Sequence, residues 1–449
     1  MCVVAHPPFE AAVAACGCSF VAVRGEAAAT PARSSAASSS PTLPPSSHPA
    51  PSPAVAPPSL LCEQLDAYAC AMLRDPQPHV VCFNWFGSAA GDLASRLSIP
   101  AVGLWPGAPM SPTAEFACPL LPTRTHPPHH APSRPHSHAA GWAAVISSLD
   151  GVRRPSVEAW AARARHAPSA QQRHTPQQPP ARHPILHLVS PSFLPAGRSP
   201  HDWPRRVAAV GFCAREAAAS PPPSPRVAAF LAAAAAARAP VVYAGTGSVA
   251  LSPAAGARFC ACVSAGARAA GCRLLLVAPP LAQPPDTTRP TSAPLDDAAH
   301  GAGGACGGGE ACGGCLDCPH VCLLPHDGSI AHAWLFPQLA AVIHHGGAGT
   351  TACAATAGVP QVLVPCLFDQ HWWAAQCARL GVSPLPLRLA VDAHGGEALC
   401  AESVARALRF ALGAGAREAA AELARALRAE PPGEEVAAGV VVAVARGAA

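Results

Sequence analysis

The chain contains no lysine: all 30 of its basic residues are arginine. Asparagine occurs once, at Asn84, and tyrosine twice, against 54 prolines and 36 glycines. GC-rich codons produce such a skew across a whole genome, so arginine content carries little functional weight. The formal net charge of +4 therefore gives no argument for a nucleic-acid partner. No Asn-x-Ser/Thr sequon occurs. The opening MCVVAHPPFEAAVAACGCSFVAVRG lacks a basic leading segment and carries Glu10 inside its apolar run, unlike a secretion signal. The 20 cysteines are scattered rather than spaced as a disulfide framework, which fits a reducing, intracellular compartment. No run approaches the ~20 apolar residues of a membrane span. The Ala-rich stretch after Arg226 ends at Arg238, and VAAGVVVAVA near the C-terminus is shorter still. The expectation is a cytoplasmic protein with at most peripheral membrane contact.

What is present is a broken alternation of strands and helices. A chain of 449 residues has ample length for a core and ordinarily holds about two to four domains. Residues 1–25 read as strand, helix, strand, and 26–60 as a disordered Ala/Ser/Pro insertion that cannot bury enough surface to order itself. Residues 61–215 resume the pattern: a helix at Leu61–Leu73, a strand at His79–Asn84, a helix at Ser88–Leu97 and a strand at Ala101–Leu104. Strand, helix, strand in that order indicates a right-handed parallel crossover. Low-complexity inserts interrupt this half near 123–138 and 167–183, and the histidines there, such as His129 and His130, lack metal-ligand spacing. Residues 216–225, with Pro221-Pro222-Pro223, form a linker. Residues 226–449 make a second domain, with strands at 241–245, 273–278 and 321–324 and closing helices at 402–412 and 415–428. A Gly/Cys-rich insertion at 281–320 interrupts it. There Cys312, Cys315 and Cys318, after Cys306, give two overlapping C-x-x-C spacings, the way zinc knuckles begin. Hydrophobic or histidine framing is missing, so codon-biased filler is the favoured reading and no metal is expected.

The densest chemistry lies in Ala341–Gln370, AVIHHGGAGTTACAATAGVPQVLVPCLFDQ. Val342 and Ile343 suit a buried parallel strand, and the block His344 to Thr351 follows where such a strand meets the next helix. Glycines at 346, 347 and 349 let peptide N–H groups approach an anion, and the helix beginning near Gly349 offers its unsatisfied N–H groups and positive dipole end. Thr350 and Thr351 add hydroxyls, and a histidine can donate one more hydrogen bond to a phosphate oxygen. The alternatives for the histidines are ordinary loop residues or metal ligands, but further ligands at regular spacing do not stand close by.

His344 to Thr351, followed by Gly358-Val359-Pro360, Val364-Pro365 and Asp369-Gln370, resembles the nucleotide-sugar signature of the UDP-glycosyltransferases, most closely the sterol 3-beta-glucosyltransferase branch. That branch places a WLFP block just upstream, as in His332-Ala333-Trp334-Leu335-Phe336-Pro337. Pro240 to Ser248 resembles the first strand and turn of the family's C-terminal domain, SPHDWP at 199–204 with VGF at 210–212 resembles the segment before it, and IPAVGLWPGAPMSPTAEFACP at 99–119 is similar to an acceptor-domain strand and loop. The resemblance covers about two-thirds of the chain by motif matching, the rest being insertion.

The resemblance implies an α/β protein of GT-B fold, two Rossmann-like domains facing a cleft, the C-terminal one holding the UDP-sugar and the N-terminal one the acceptor. It implies that Ser248, His345, Gly347, Gly349, Thr350 and Thr351 contact the diphosphate and that Asp369 and Gln370 bond sugar hydroxyls. Carboxylate and amide chemistry suits a hexose edge; a helix N-cap is the structural alternative for Asp369. Residues 329–332 would lie beside the base, involving Ser329 and His332. Trp334 could stack on uracil but is favoured as core. Of Trp372 and Trp373, one is expected to pack inward and the other to line the cleft. The implied reaction is inverting transfer of a hexose, glucose by preference, from UDP-glucose or a related UDP-sugar to a sterol or other lipophilic alcohol, with no metal or cofactor. The family's base comes from the first strand and glycine-rich loop of the N-terminal domain, whereas this sequence opens at what resembles the second strand. His6 does not match the catalytic position and no base is assigned. A start truncated at its 5′ end is the expectation; the rival is a nucleotide-sugar or lipid-binding protein that lacks the base.

Overall fold

A computed structural model describes residues 2–5, 19–22, 65, 67–69, 71–73, 78–84, 88–113, 115, 118–119, 183–213, 224–281, 319–324, 330–389 and 397–447. The expected insertions at 26–60 and 123–138, and nearly all of those at 167–183 and 281–320, lie outside the described residues. So do His6, His129, His130, Ser329 and the four cysteines from Cys306 to Cys318. Two compact units emerge, one of residues 1–104, 146–184 and 440–449, the other of residues 105–145 and 185–439. Among the described residues no helix is long and apolar enough to cross a membrane.

In the first unit, β1 (Cys2–Ala5) pairs in parallel with β2 (Ser19–Ala22). A second parallel pair, β3 (Val81–Phe83) and β4 (Ala101–Trp105), is joined through α1 (Ser88–Arg96). Ala89, Ala90, Leu93 and Ala94 recur at helical spacing and are buried with Leu65, Met72 and Ile99. Gly91 lets α1 lie close on β3, since a Cβ there would stand 2.7 Å from Phe83 Cζ.

The second unit opens with a short parallel pair, β5 (Ile185–His187) and β6 (Val207–Ala209). A β-α alternation follows: α2 (Pro225–Ala236), β7 (Val241–Gly245), α3 (Pro253–Ala269), β8 (Arg273–Val277) and β9 (Val321–Leu324). The chain continues through α4 (His332–Leu335), β10 (Ala341–His344), α5 (Ala348–Ala357), β11 (Gln361–Leu363) and α6 (Gln370–Arg379). The pair β12 (Leu387–Arg388) and β13 (Glu397–Ala398) comes next, then α7 (Ala401–Ala411) and α8 (Ala414–Ala429), while residues 440–445 of the last helix, α9 (Gly433–Ala445), fall in the first unit. Both α2 and α3 start as a Ser-Pro pair predicts. Ser224 and Ser252 accept from the N–H groups of Val227 and Ala255, and the proline supplies a first-turn residue with no N–H to satisfy.

The main sheet is parallel throughout, in the order β11-β10-β7-β8-β9. Its alternating residues divide between two cores, as a period of two requires. Val242, Ala244, Leu274, Leu276 and Ile343 pack with Phe259 and Val263 of α3 and Val404 and Leu408 of α7. Val241, Tyr243, Leu275, Val277 and Val342 pack on the other face with Val227 of α2 and Ala354 of α5. Leu274, Leu275 and Leu276 are wholly buried, each worth about 2 kcal/mol by area. Strand and helix limits expected from sequence shift by a residue or two. Trp372 and Trp373 are both buried, against the expectation that one lines an open cleft, because each packs into the cluster of Phe193, Leu194 and Leu423.

Candidate functional site

The sheet winds from β7 outward to β9, then returns past β7 to β10 and β11, so the order reverses between β7 and β10. Open parallel sheets bind ligands beyond the carboxyl ends of the strands at that reversal. Two turns meet there, Thr246-Gly247-Ser248 after β7 and His345-Gly346-Gly347 after β10. Gly247 (φ +56°) and Gly346 (φ +88°) take the left-handed backbone that glycine tolerates. Buried Thr246 donates from Oγ1 to Val249 O at 3.1 Å and holds the first turn, while Ser248 is exposed at its tip.

The adjacent histidines do different work. His344 is fully buried; its Nδ1 accepts from Gly346 N–H (3.1 Å), so its proton sits on Nε2, 2.8 Å from the Gln361 oxygen. Burial, with a lesser push from His345, lowers its pKa to about 3, and the neutral ring serves as a brace for the second turn. His345 stands between the turns: a Cβ on Gly247 would come 2.7 Å from its Cε1, and one on Gly347 would strike its Nε2. Its Nδ1 is buried and has no hydrogen-bond partner among the described residues. Burial takes its pKa to about 4, an effect that the Asp369 carboxylate opposes and His332 reinforces.

Helix α5 begins beside this ring with Gly347 as N-cap and no capping side chain. Thr351 is buried, and its single hydroxyl proton goes to Gly347 O at 2.9 Å, inside the first turn. Thr350 is half-buried, and Gly349 is exposed, with nothing within 4 Å of where its Cβ would be. No packing within the described residues requires glycine at 349.

Asp369 and Gln370 close the far side. Gln370 Oε1 accepts from the N–H groups of Cys366 (2.8 Å) and Leu367 (3.1 Å), clamping the turn before α6. That turn seats on the histidine loop, for a Cβ on Gly346 would stand 3.1 Å from Gln370 O. Asp369 occupies the N-cap position of α6 but its side chain makes no cap bond. Its Oδ2 instead accepts from Trp373 Nε1 (3.0 Å) and from Ala108 N–H (2.8 Å), leaving Oδ1 out of both bonds. Gly107 is the neighbour that makes room, a Cβ there lying 3.0 Å from Oδ2. Sequence reasoning did not single out Gly107 and Ala108 as partners of Asp369; the Pro-Gly-Ala-Pro turn at 106–109 was the available signal.

His332 stacks on Phe336 at 4.5 Å and 15°, with its Nε2 3.4 Å from the Tyr243 hydroxyl. Tyr243 in turn fills the space beside Gly245 and, being buried, has its pKa pushed up to about 12. Trp334 is half-buried against the core that contains Leu335 and Phe336. Ser248, His345, Gly347, Gly349, Thr350, Asp369 and Gln370 thus gather around the strand ends, Thr351 lies beneath them, and His332 reaches His345 electrostatically. Among the described residues no group of three or more His, Cys, Asp or Glu is placed to hold a metal ion.

Known proteins resemble this chain chiefly over the segment that carries these turns. Residues 328–443 match the family described as the C-terminal domain of erythromycin biosynthesis protein CIII-like proteins. Over 110 residues the chain is 46% identical to O-mycaminosyltylonolide 6-deoxyallosyltransferase of Streptomyces fradiae, a match covering 24% of this chain and 22% of that protein. A sterol 3-beta-glucosyltransferase of Arabidopsis thaliana is 39% identical over 99 residues, 22% of this chain and 15% of the relative. The vancomycin aglycone glucosyltransferase of Amycolatopsis orientalis is 44% identical over 101 residues, 20% of this chain and 25% of the relative. The chain thus spans a quarter or less of the length of these curated relatives. Among solved structures, the calicheamicin glycosyltransferase CalG4 superimposes with a TM-score of 0.53 at 20% identity, over 100% of this chain and 91% of that one. The fold is therefore α/β of the GT-B type, and the segment from 328 to 443 is similar to the C-terminal domain of erythromycin biosynthesis protein CIII-like proteins.

Proposed function

We propose that this chain binds a UDP-sugar at the reversal between β7 and β10 and transfers its hexose, glucose by preference, to the hydroxyl of a sterol or other lipophilic alcohol. The observation that carries the reading is His345: a buried imidazole with an unpartnered nitrogen, held between two glycine turns at the uncapped start of a ten-residue helix. Buried polar atoms are rarely left unpaired, and a phosphate oxygen would satisfy this one. Bare Gly349 leaves the helix N-terminus open to the same anion.

The acceptor hydroxyl passes its proton to a general base, and its oxygen attacks the anomeric carbon with inversion. The bond from that carbon to the diphosphate breaks, and its electron pair leaves on a phosphate oxygen. Donors fixed in place before the reaction stabilise that charge: the first N–H groups of α5, the His345 ring N–H and the Thr350 hydroxyl. Asp369 would accept from the sugar through Oδ1, the oxygen that its bonds to Ala108 and Trp373 leave aside. No metal or cofactor enters this proposal, no base is assigned, and peripheral membrane contact would serve a lipophilic acceptor.

A second reading of the substrates rests on the 46% identity to the deoxyallosyltransferase and the match to the erythromycin-biosynthesis family. A macrolide-like aglycone would then replace the sterol. The solved VinC glycosyltransferase, at a TM-score of 0.50 and 17% identity, was crystallised with dTDP, which makes a thymidine diphosphate sugar the donor to test beside UDP-glucose. Nucleoside diphosphate release by the full chain, with each donor against sterols and macrolide aglycones, separates these readings. Release with a sterol supports the first and release with a macrolide alone the second. Donor binding without release from any pair leaves a binding protein.

A further inference from the structure

We propose that Phe368 is the apolar contact for the hexose of the donor, its ring lying against the C–H face of the sugar whose hydroxyls Asp369 and Gln370 hold. The proposal rests on the reading of this site as a nucleotide-sugar site. It starts from a backbone outlier. Among the described residues, three other than glycine have a left-handed φ: Ser98, Arg238 and Phe368. Ser98 and Arg238 end helices in the usual way, with Ile99 N–H bonded to Ala94 O (2.9 Å) and Ala239 N–H to Ala234 O (3.0 Å). Phe368, at +52°, follows no helix; it stands between β11 and α6, where a bulky aromatic gains no helix-terminating bond.

The conformation is imposed from both sides. Gln370 Oε1 holds the N–H groups of Cys366 and Leu367, and Asp369 Oδ2 is pinned by Ala108 and Trp373. Burial does not compensate the strain, for Phe368 is 50% exposed. A residue kept in a costly backbone state by its neighbours, with its ring in solvent, is the pattern by which functional sites hold a side chain ready. Its turn seats on Gly346, which places Phe368 beyond the same strand ends as the His345 turn. A hexose has a rim of hydroxyls and apolar C–H faces; a carboxylate and an amide beside an exposed aromatic ring complement both.

Calorimetric titration of the full chain with UDP and with UDP-glucose tests the proposal in wild type, Phe368→Ala, Phe368→Gly and Phe368→Trp. The wild type should bind UDP-glucose more tightly than UDP. Phe368→Ala and Phe368→Gly should lose about three- to tenfold in UDP-glucose affinity with UDP affinity unchanged, while Phe368→Trp keeps both. Phe368→Gly, which suits the left-handed backbone, should not lower Tm, so its loss cannot be laid to misfolding. Equal weakening of both ligands, an unchanged ratio, or a wild type that binds UDP-glucose no better than UDP overturns the role of Phe368 and leaves the nucleotide site standing. A wild type that binds neither ligand overturns the nucleotide-sugar reading itself, and this proposal with it.

Discussion

The His345 ring takes the space that a side chain at Gly247 would need, a Cβ there coming 2.7 Å from Cε1. The two residues lie 98 positions apart in sequence and on different turns, yet the ring of one leaves no room for a side chain on the other. Gly247→Ala should therefore destabilise the fold by about 1–3 kcal/mol, through the contact and the left-handed backbone. In a double-mutant cycle with His345→Ala, read by urea unfolding, the contact part should disappear and the backbone part remain.

Gly349→Ala separates packing from ligand binding. Nothing lies within 4 Å of the added methyl, and alanine is the better helix residue by about 1 kcal/mol, so stability should hold or rise. The same methyl would stand where an anion meets the helix N-terminus. UDP should then raise the Tm of this variant less than it raises that of the wild type.

Acid should destabilise the protein through its buried histidines. His345 has a folded pKa of about 4, and His344 and His187 of about 3, each held down chiefly by burial, against about 6.5 in an unfolded chain. Above pH ~6.5 these rings are neutral in both states and their contribution is fully present. As pH falls towards the folded values the unfolded chain takes up protons that the native one refuses, and stability drops by up to about 1.4 kcal/mol per pH unit per histidine. Urea midpoints from pH 7 to 4.5 check this, and His344→Gln should flatten the slope.

Asp369→Ala removes the acceptor of both Ala108 N–H and the Trp373 indole, and should cost about 1–3 kcal/mol of stability. Asp369→Asn can keep both bonds with its amide oxygen in the place of Oδ2, and it puts an NH2 where Oδ1 stood, so it is the cleaner probe of binding. It should leave UDP affinity within about twofold and weaken UDP-glucose by about tenfold, the loss of a charge-assisted bond. Competition of the two ligands for a fluorescent UDP analogue reads this out.

Much of the fold was legible because its signals are local. A strand such as RLLLV or VVYAG shows its burial in its own composition. The glycine turn at 345–349 was legible for the same reason. The division of labour between His344 and His345 was not, since it depends on Gln361 and Gly247, residues that only the closed sheet brings alongside. Asp369 read locally as a helix cap or sugar ligand, and its bond to Ala108 spans 261 positions. Thr351 looked like a free hydroxyl donor, but the helix turns it back on Gly347. Phe368 carried no signal at all, because a left-handed φ at phenylalanine is imposed by the clamp around it.

The central claim is that the unpartnered Nδ1 of His345 awaits a phosphate oxygen, and calorimetric titration of UDP into wild type and His345→Ala tests it most directly. Loss of a buried hydrogen bond to a charged ligand predicts about 10- to 100-fold weaker binding in the variant, with the fold intact by circular dichroism. A His345→Ala protein that is folded and binds UDP as tightly as the wild type would contradict the account.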